Sequence, residues 1–561
     1  MVFGVQLMTA CSTLLVNFMK KRNFSFLFLP LLLLASCGGS SKPSDKIVVA
    51  DLKEDKRTNY EFDASVSNEN GSLSYEIFVR SFYDSNGDGI GDLNGVKYKL
   101  PYLKDLGVKT IWLTPIHDSP TYHGYDVKDY YSIHSELGTM DDFDALVSEA
   151  NRYNIDIMID MVLNHCSIKN NYVEESYVDY LSENTASDSK ADWFNWRETS
   201  FANSTRYKNL YLEAQFDGSM PDFNLDSEGV KAEIDNICKF WIQDHGVKGF
   251  RLDAVLYYFQ NTEKNTEFCR FLKETTAKYN PNFYMVGECW TSEYTIIENF
   301  KSGMDSFFKF ASSVASGGDI NQSIVNLAKG RLKASKFLST VARQEASVHT
   351  SNPNGYFSFF LANHDTDRSS TYLSGDNAKT AASIYCLMPG TPFMYYGEEI
   401  ELKGVRNSAD MSDARRRLPL IWSENNKTGE CAFPEKNRQD LNNNEQVTLG
   451  VEDQLATNYS LLNHYKKVIN VRNKYPFIKH GILTSMLEEF EIDPEIEDHV
   501  VAYKITNGND YIVVVTNTND ENVAIRCGDY QIVDEINTTR QIPQINNKVL
   551  TIGAKSTVIL H

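Results

Sequence analysis

The chain reads as an α/β protein: a parallel barrel wrapped in helices, followed by a small antiparallel β domain. Three observations predict this. Short β-rich runs alternate with amphipathic helical stretches from Tyr75 to about Lys474, charged or polar residues stand at the C-terminal ends of several apolar runs, and beyond Lys474 strict alternation replaces the helical period. Repeated strand–helix units imply parallel strands with helices outside. Polar residues gathered at strand C-termini favour a barrel whose working face is that end.

Taken in order, residues 1–37 carry the marks of a secretory signal. Met19-Lys20-Lys21-Arg22 is a positive start, the run from Phe24 to Ala35 is apolar, and Leu34-Ala35-Ser36-Cys37 leads into Gly38-Gly39-Ser40-Ser41. The run is too short to span a bilayer, and Pro30 interrupts it. A cysteine at the cleavage point resembles the bacterial lipoprotein signal, so Cys37 is expected to take a lipid. The chain would then sit outside the cytoplasm, anchored to a bacterial membrane at the cell surface or in the periplasm. Residues 38–72 are polar and read as a tether.

Residues 73–165 and 221–478 carry the barrel pattern. Ile77-Phe78-Val79 opens it, and 100–107 reads as a helix stopped by Gly107. A strand over 110–113 ends at Pro115, helix 143–153 feeds strand 155–162, and helix 230–244 feeds strand 249–252. Over 166–220 the alternation lapses and Trp193, Phe194, Trp196, Tyr207 and Tyr211 crowd together, which predicts an inserted sub-domain after the third strand. A helix over 461–474 precedes the C-terminal region, 479–561. There, 500–505 and 511–515 are strands joined by the turn Asn507-Gly508-Asn509-Asp510, as in an antiparallel β-sandwich.

Bulk composition narrows the function. A hydrophobic fraction of 42% is that of a globular chain, and a net charge of −20 opposes binding to nucleic acid, whose phosphates need a basic face. Apart from Cys37, the mature chain has seven cysteines at scattered positions, without disulfide-framework or zinc-ribbon spacing.

Four segments carry the chemistry: Asp160-Met161-Val162-Leu163-Asn164-His165, Gly249-Phe250-Arg251-Leu252-Asp253-Ala254, Val286-Gly287-Glu288-Cys289-Trp290 and Phe360-Leu361-Ala362-Asn363-His364-Asp365. Each sets polar groups at the end of a strand-like run. Splitting an acetal between sugars requires one carboxylate as nucleophile and one carboxylic acid to protonate the leaving oxygen, and Asp253, Glu288 and Asp365 offer both. Arg251 stands two residues before Asp253, on the same face of a strand, where its guanidinium can hold that carboxylate ionised.

These segments, in this order, resemble the α-amylase superfamily of glycoside hydrolases (family 13) from about Tyr75 to His561. The resemblance implies a (β/α)8 TIM barrel, an insert after the third strand and a C-terminal β-sandwich. It implies Asp253 as nucleophile, Glu288 as general acid/base and Asp365 as the carboxylate that grips sugar hydroxyls. His165 and His364 are implied to hydrogen-bond the sugar being cleaved, and Tyr125 to stack on it. The loop Asp84-Ser85-Asn86-Gly87-Asp88-Gly89-Ile90-Gly91-Asp92 spaces oxygen side chains as a Ca2+ site requires. Relatives carry such a site after the first strand, with Asp84, Asn86, Asp88, Asp92 and the Ile90 carbonyl as implied ligands. An Asx-rich turn without metal is the alternative.

Within the superfamily, Met220-Pro221-Asp222-Phe223-Asn224 resembles the group intermediate between oligo-1,6-glucosidases and neopullulanases. Ala254, where α-1,6-cleaving members tend to carry Val, favours α-1,4 bonds. Arg417-Leu418-Pro419 resembles a loop whose arginine pairs with Asp126 in exo-acting α-glucosidases, so endo and exo action both stay open. The expectation is an α-amylase acting on starch-like α-1,4-glucans and maltooligosaccharides. An α-glucosidase or oligo-1,6-glucosidase taking short oligosaccharides is the alternative, and a glucan-binding lipoprotein a further one.

Overall fold

The computed structural model describes residues 47–314, 323–406, 412–433 and 446–561. Eight parallel strands form one sheet: β1 (Ser74–Ile77), β2 (Thr110–Leu113), β3 (Asp156–Met161), β4 (Gly249–Leu252), β5 (Tyr284–Gly287), β6 (Ser306–Phe308), β7 (Tyr356–Ser358) and β8 (Phe393–Tyr395). They lie in the order β7-β6-β5-β4-β3-β2-β1-β8, and a parallel bridge between Phe360 and Phe393 closes the two ends into a barrel. The strands are short and buried on both faces, which is why they read as continuous apolar runs. Inside, Trp112, Met158, Val286, Phe308, Phe360 and Phe393 pack into a plug of their own. The larger apolar cluster lies between barrel and helices.

Helices fill the returns, and their ends follow from local chemistry. Leu100–Leu106 stops at Gly107, whose φ of 91° suits a residue without Cβ. Met140–Arg152 starts at a capping box in which Thr139 and Asp142 exchange hydrogen bonds. The predicted helix over 230–244 is α-helical only over Glu228–Lys239 and continues as a π-turn over Phe240–Asp244. That turn sets Trp241 Nε1 2.8 Å from the Tyr130 carbonyl it donates to.

Between β3 and the helix Glu228–Lys239 lie a helix (Asn171–Leu181) and a hairpin (Ser204–Tyr207 with Leu210–Glu213). Trp193, Phe194 and Trp196 are buried there and form the core of this sub-domain. The returning segment is pinned to the barrel, with Cys166 N donating to Pro221 O at 3.1 Å and Phe223 N to Asn164 O at 3.0 Å. Beyond helix Leu461–Lys474, a five-stranded and a four-stranded antiparallel sheet face each other. In the strand Val500–Asn507, Val500 and Ala502 fill the sandwich while Val501, Tyr503 and Ile505 join the large core.

The predicted tether over 38–72 requires correction from residue 47 onward. Lys53–Glu54 pairs as a strand with Gln541 and Ile542 of the C-terminal region. Asp55 is buried against Arg57, whose guanidinium also meets Glu535, and the Tyr60 hydroxyl lies 2.8 Å from His464 Nδ1. Asn68 donates to the Val108 carbonyl at 2.7 Å, below β2. Most of the segment faces solvent, but Asp55, Tyr60, Asn68 and Ser72 are buried and fasten it to the body. The signal and Cys37 lie outside the described residues. Among the described residues no helix is long and apolar enough to cross a membrane.

Candidate active site

The strand register builds the site. Asp160 of β3 lies opposite Arg251 of β4, and Leu252 of β4 opposite Gly287 of β5, so Asp253 and Glu288 leave the barrel side by side, one residue past their strands. Gly287 is required at this crossing: a Cβ there would come within 2.5 Å of the Phe307 ring. Ala254 adopts φ 51°, ψ 38°, a left-handed conformation unusual for a residue with a side chain. Its N–H donates to Glu288 Oε2 at 3.1 Å, tying the two strand ends together.

Arg251 is fully buried and serves three carboxylates. Nη1 donates to Asp160 Oδ1 at 2.9 Å and Asp253 Oδ1 at 2.6 Å. Nη2 lies 2.8 Å from Glu288 Oε2, a contact too bent for a hydrogen bond and so purely electrostatic. One positive charge cannot balance three carboxylates away from water, so protons are retained. Burial pushes Asp160 up to about 7, with Arg251 resisting and the Asp253 charge adding to it. Burial also raises Glu288; Arg251 pulls against this, and Asp253 and Asp365 reinforce it. Glu288 is thereby biased towards the acid form.

His364 organises the other side. Its Nδ1 lies 2.5 Å from Glu76 Oε1, and its Nε2 2.9 Å from Asp365 Oδ2 and 2.5 Å from the Tyr125 hydroxyl. Burial alone would lower this imidazole, but Asp365 and Glu76 overcome it and push the ring up to about 9. The ring is an imidazolium at neutral pH and donates from both nitrogens. Asp365 would be raised by burial, yet His364 and Arg417 hold it well below the usual carboxylate range. The Tyr125 hydroxyl donates to Asp160 Oδ2 at 3.0 Å, linking the two halves of the network.

A cavity of about 720 Å3 opens above these groups, lined by Tyr125, His165, Asp253, Glu288, Asp365 and, at its mouth, the exposed rings of Phe216, Tyr257 and Trp290. Burial lowers His165, keeping it neutral, and its Nε2 lies 3.1 Å from the Tyr125 carbonyl. Arg251, His364, Arg417 and Asp126 do not line the cavity, so direct contact of these four with substrate is corrected, while Arg251 meets Asp253 as the sequence predicts. Arg251 and His364 have no exposed surface, and Arg251 Nη1 and His364 Nε2 meet Asp253 and Asp365 from behind. Arg417 is not paired with Asp126: its Nη2 donates to Asp365 Oδ1 at 3.0 Å and its Nε to the His364 carbonyl at 3.2 Å. Asp126 is buried and accepts from Ser119 Oγ at 2.7 Å and from Thr121 Oγ1. Asp126 thus takes its partners from its own loop, and Arg251, His364 and Arg417 act through Asp253 and Asp365.

Glu76 was not singled out from the sequence; it reads as one more strand residue of β1, and only barrel closure brings it to His364. In the 84–92 loop, Asp84, Asn86 and Asp88 accept from the loop's own amides, Asp84 Oδ2 from Gly89 N at 2.7 Å and Asp88 Oδ1 from Ile90 N at 2.7 Å. Gly87 and Gly89 have φ of 86° and 90°. Asp92 Oδ1 also caps the helix Leu93–Tyr98 by accepting from Gly95 N at 2.7 Å. Among the described residues, no three His, Cys, Asp or Glu side chains converge as a metal cluster. The donor set of this loop is all oxygen, the chemistry that suits a hard cation. Cys166 and Cys289 are buried, free and outside the cavity wall.

A barrel of this kind, with an acidic pair at the ends of β4 and β5 and a third carboxylate beyond β7, defines a glycoside hydrolase. The chain belongs to the alpha-amylase family: residues 76–481 match its catalytic-domain model. It is 34% identical to Alpha-amylase 3 of Dictyoglomus thermophilum, over 87% of this chain and 93% of that one. It is 28% identical to the Oligo-1,6-glucosidase of Parageobacillus thermoglucosidasius, over 82% and 92%. The solved structure of Eubacterium rectale Amy13B superposes with a TM-score of 0.80 at 32% identity, covering 91% of this chain and 99% of that one.

Proposed function

We propose that this enzyme hydrolyses α-1,4 bonds of starch-like glucans and maltooligosaccharides with retention. The observation that carries it is Arg251 holding Asp253 and Glu288 side by side at the ends of β4 and β5, with burial favouring the acid form of Glu288. Asp253 attacks the anomeric carbon as Glu288 gives its proton to the leaving oxygen, so the glycosidic C–O bond breaks and a glycosyl–Asp253 ester forms. Glu288, now a carboxylate, takes a proton from water; the water oxygen attacks the same carbon and releases Asp253. Asp365, fixed by His364 and Arg417, and neutral His165 grip the hydroxyls of the sugar in transit, over the Tyr125 ring.

Arg417 engaged with Asp365 instead of Asp126 supports action on polymer chains, because the contact expected to close off a short exo-type pocket is not formed. Incubation with amylose and with isomaltotriose tests this: a spread of maltooligosaccharides from amylose is the expected result, and glucose from isomaltotriose alone contradicts it. The loop after β1 would hold Ca2+ through Asp84, Asn86, Asp88, Asp92 and the Ile90 carbonyl, stabilising the fold without entering the chemistry. Chelation is expected to lower the unfolding temperature while kcat at 25 °C stays unchanged. The Leu34-Ala35-Ser36-Cys37 motif supports anchoring through a lipid on Cys37, outside the cytoplasm. Partition of wild type but not Cys37→Ser into the membrane fraction is the expected outcome.

A further inference from the structure

Glu76 is buried in β1, does not line the catalytic cavity, and has no part in the double displacement described above. A carboxylate taken out of water needs a partner that repays its desolvation. Its Oε1 accepts twice from His364, from the backbone N–H at 3.2 Å and from Nδ1 at 2.5 Å. An oxygen that already takes the backbone N–H cannot be exchanged for a donor, so Nδ1 keeps its proton. The proton the ring can give up is therefore the one on Nε2. That proton faces Asp365 Oδ2 at 2.9 Å and the Tyr125 hydroxyl at 2.5 Å. Were it lost, a bare lone pair would confront the Asp365 carboxylate, and the Tyr125 hydroxyl would be drawn from Asp160 towards Nε2.

The charges around the ring show what keeps that proton in place. Asp365 divides its charge between His364 and Arg417, whose Nη2 donates to it at 3.0 Å. Two cations stand close by: Arg417, with Nε 3.2 Å from the His364 carbonyl, and Arg251, above the Trp112 ring that His364 also meets edge-on. Both disfavour a further positive charge, as burial does. Asp160 lies one step away, behind the Tyr125 hydroxyl. Glu76 is the carboxylate committed to the ring itself. We propose that Glu76 is a positioning residue for catalysis: from β1 it keeps the proton on His364 Nε2, and that proton holds Asp365 in the orientation in which it grips the sugar. The inference rests on the glycosidase reading above and adds to it a residue that never meets the substrate. The ring's preference for its charged form, pushed up to about 9 by Asp365 and Glu76 against burial, agrees with it.

Glu76→Gln keeps the shape and the accepting oxygen and removes the charge. Losing an opposite charge at this distance moves a titration by about one to three pH units, here downward. The titration of His364 is followed by NMR of enzyme labelled with 15N-histidine, with His364→Asn marking its signal. In parallel, kcat/KM on maltotriose is measured at about pH 6 and about pH 8.5 and expressed as the ratio of variant to wild type, which cancels the limb due to Glu288. The expected result is a His364 signal that titrates at lower pH in the variant, with a ratio near one at pH 6 that falls by about tenfold at pH 8.5. A ratio that is the same at both pH values, whether near one or depressed, overturns the inference, as does an unmoved His364 titration. A wild type that cleaves neither maltotriose nor amylose overturns the glycosidase reading itself, a distinct outcome.

Discussion

Arg251 is where the chemistry is most concentrated. It has no exposed surface, and its single charge is divided among Asp160, Asp253 and Glu288. Arg251→Met removes the partner of three buried acids, and breaking such a contact costs about 3–5 kcal/mol. The variant is expected to unfold at markedly lower denaturant concentration and to lose nearly all activity, since Asp253 and Glu288 would lose the guanidinium that holds them in place. Glu288 makes a second prediction. Its acid form is favoured by burial, so the alkaline limb of the kcat/KM profile is expected above the ordinary carboxylate range. A limb near the unperturbed glutamate value would contradict this. His364 gives a third. Its folded pKa lies above the ordinary value of about 6.5, so the charged ring stabilises the fold fully below that pH. The contribution is lost as pH rises through about 9. Urea midpoints measured between these limits should fall with rising pH in wild type and stay flat in His364→Asn.

At the scale of the element, the crossing of β4 and β5 matters most. Gly287→Ala places a methyl against Phe307, and overpacking of this kind costs about 1–3 kcal/mol. It would also push Glu288 away from Asp253, so kcat should fall more than stability alone explains; an unchanged kcat would show that the close approach is not needed. The same elements show what can be read in a sequence. Asp253, Glu288 and Asp365 were legible because each sits beside its own strand, and a few contiguous residues carry both placement and chemistry. The strands Thr110–Leu113 and Gly249–Leu252 were legible from their apolar runs. Glu76 was not, because its partner His364 lies 288 residues away and meets it only when the barrel closes. The partner of Arg417 was misread for the same reason. Asp126 and Asp365 are equivalent anions in sequence, and only packing decides which lies within reach.

Across the whole molecule, three layers meet at their edges. The barrel supplies the acids, the segment returning from the insert pins the His165 loop through Asn164 Nδ2 and Asp222 Oδ1 at 3.1 Å, and the C-terminal sandwich shares the large core. Residues 47–72 bind barrel and sandwich together through Asn68, Tyr60 and the strand at Lys53–Glu54. Polarity alone suggested a loose tether, because composition does not reveal whether polar groups face water or each other. A chain starting at residue 73 should therefore melt at a lower temperature with its active-site chemistry intact. An unaltered melting temperature would mean that these contacts contribute little. The division of labour between Asp253 and Glu288 is tested most directly by mass spectrometry of the Glu288→Gln variant after reaction with α-maltosyl fluoride. Fluoride departs without an acid, and with no base to activate water the ester should persist as a maltosyl adduct on Asp253. An adduct on another residue, or free maltose of inverted configuration with no adduct, would contradict a double displacement through Asp253.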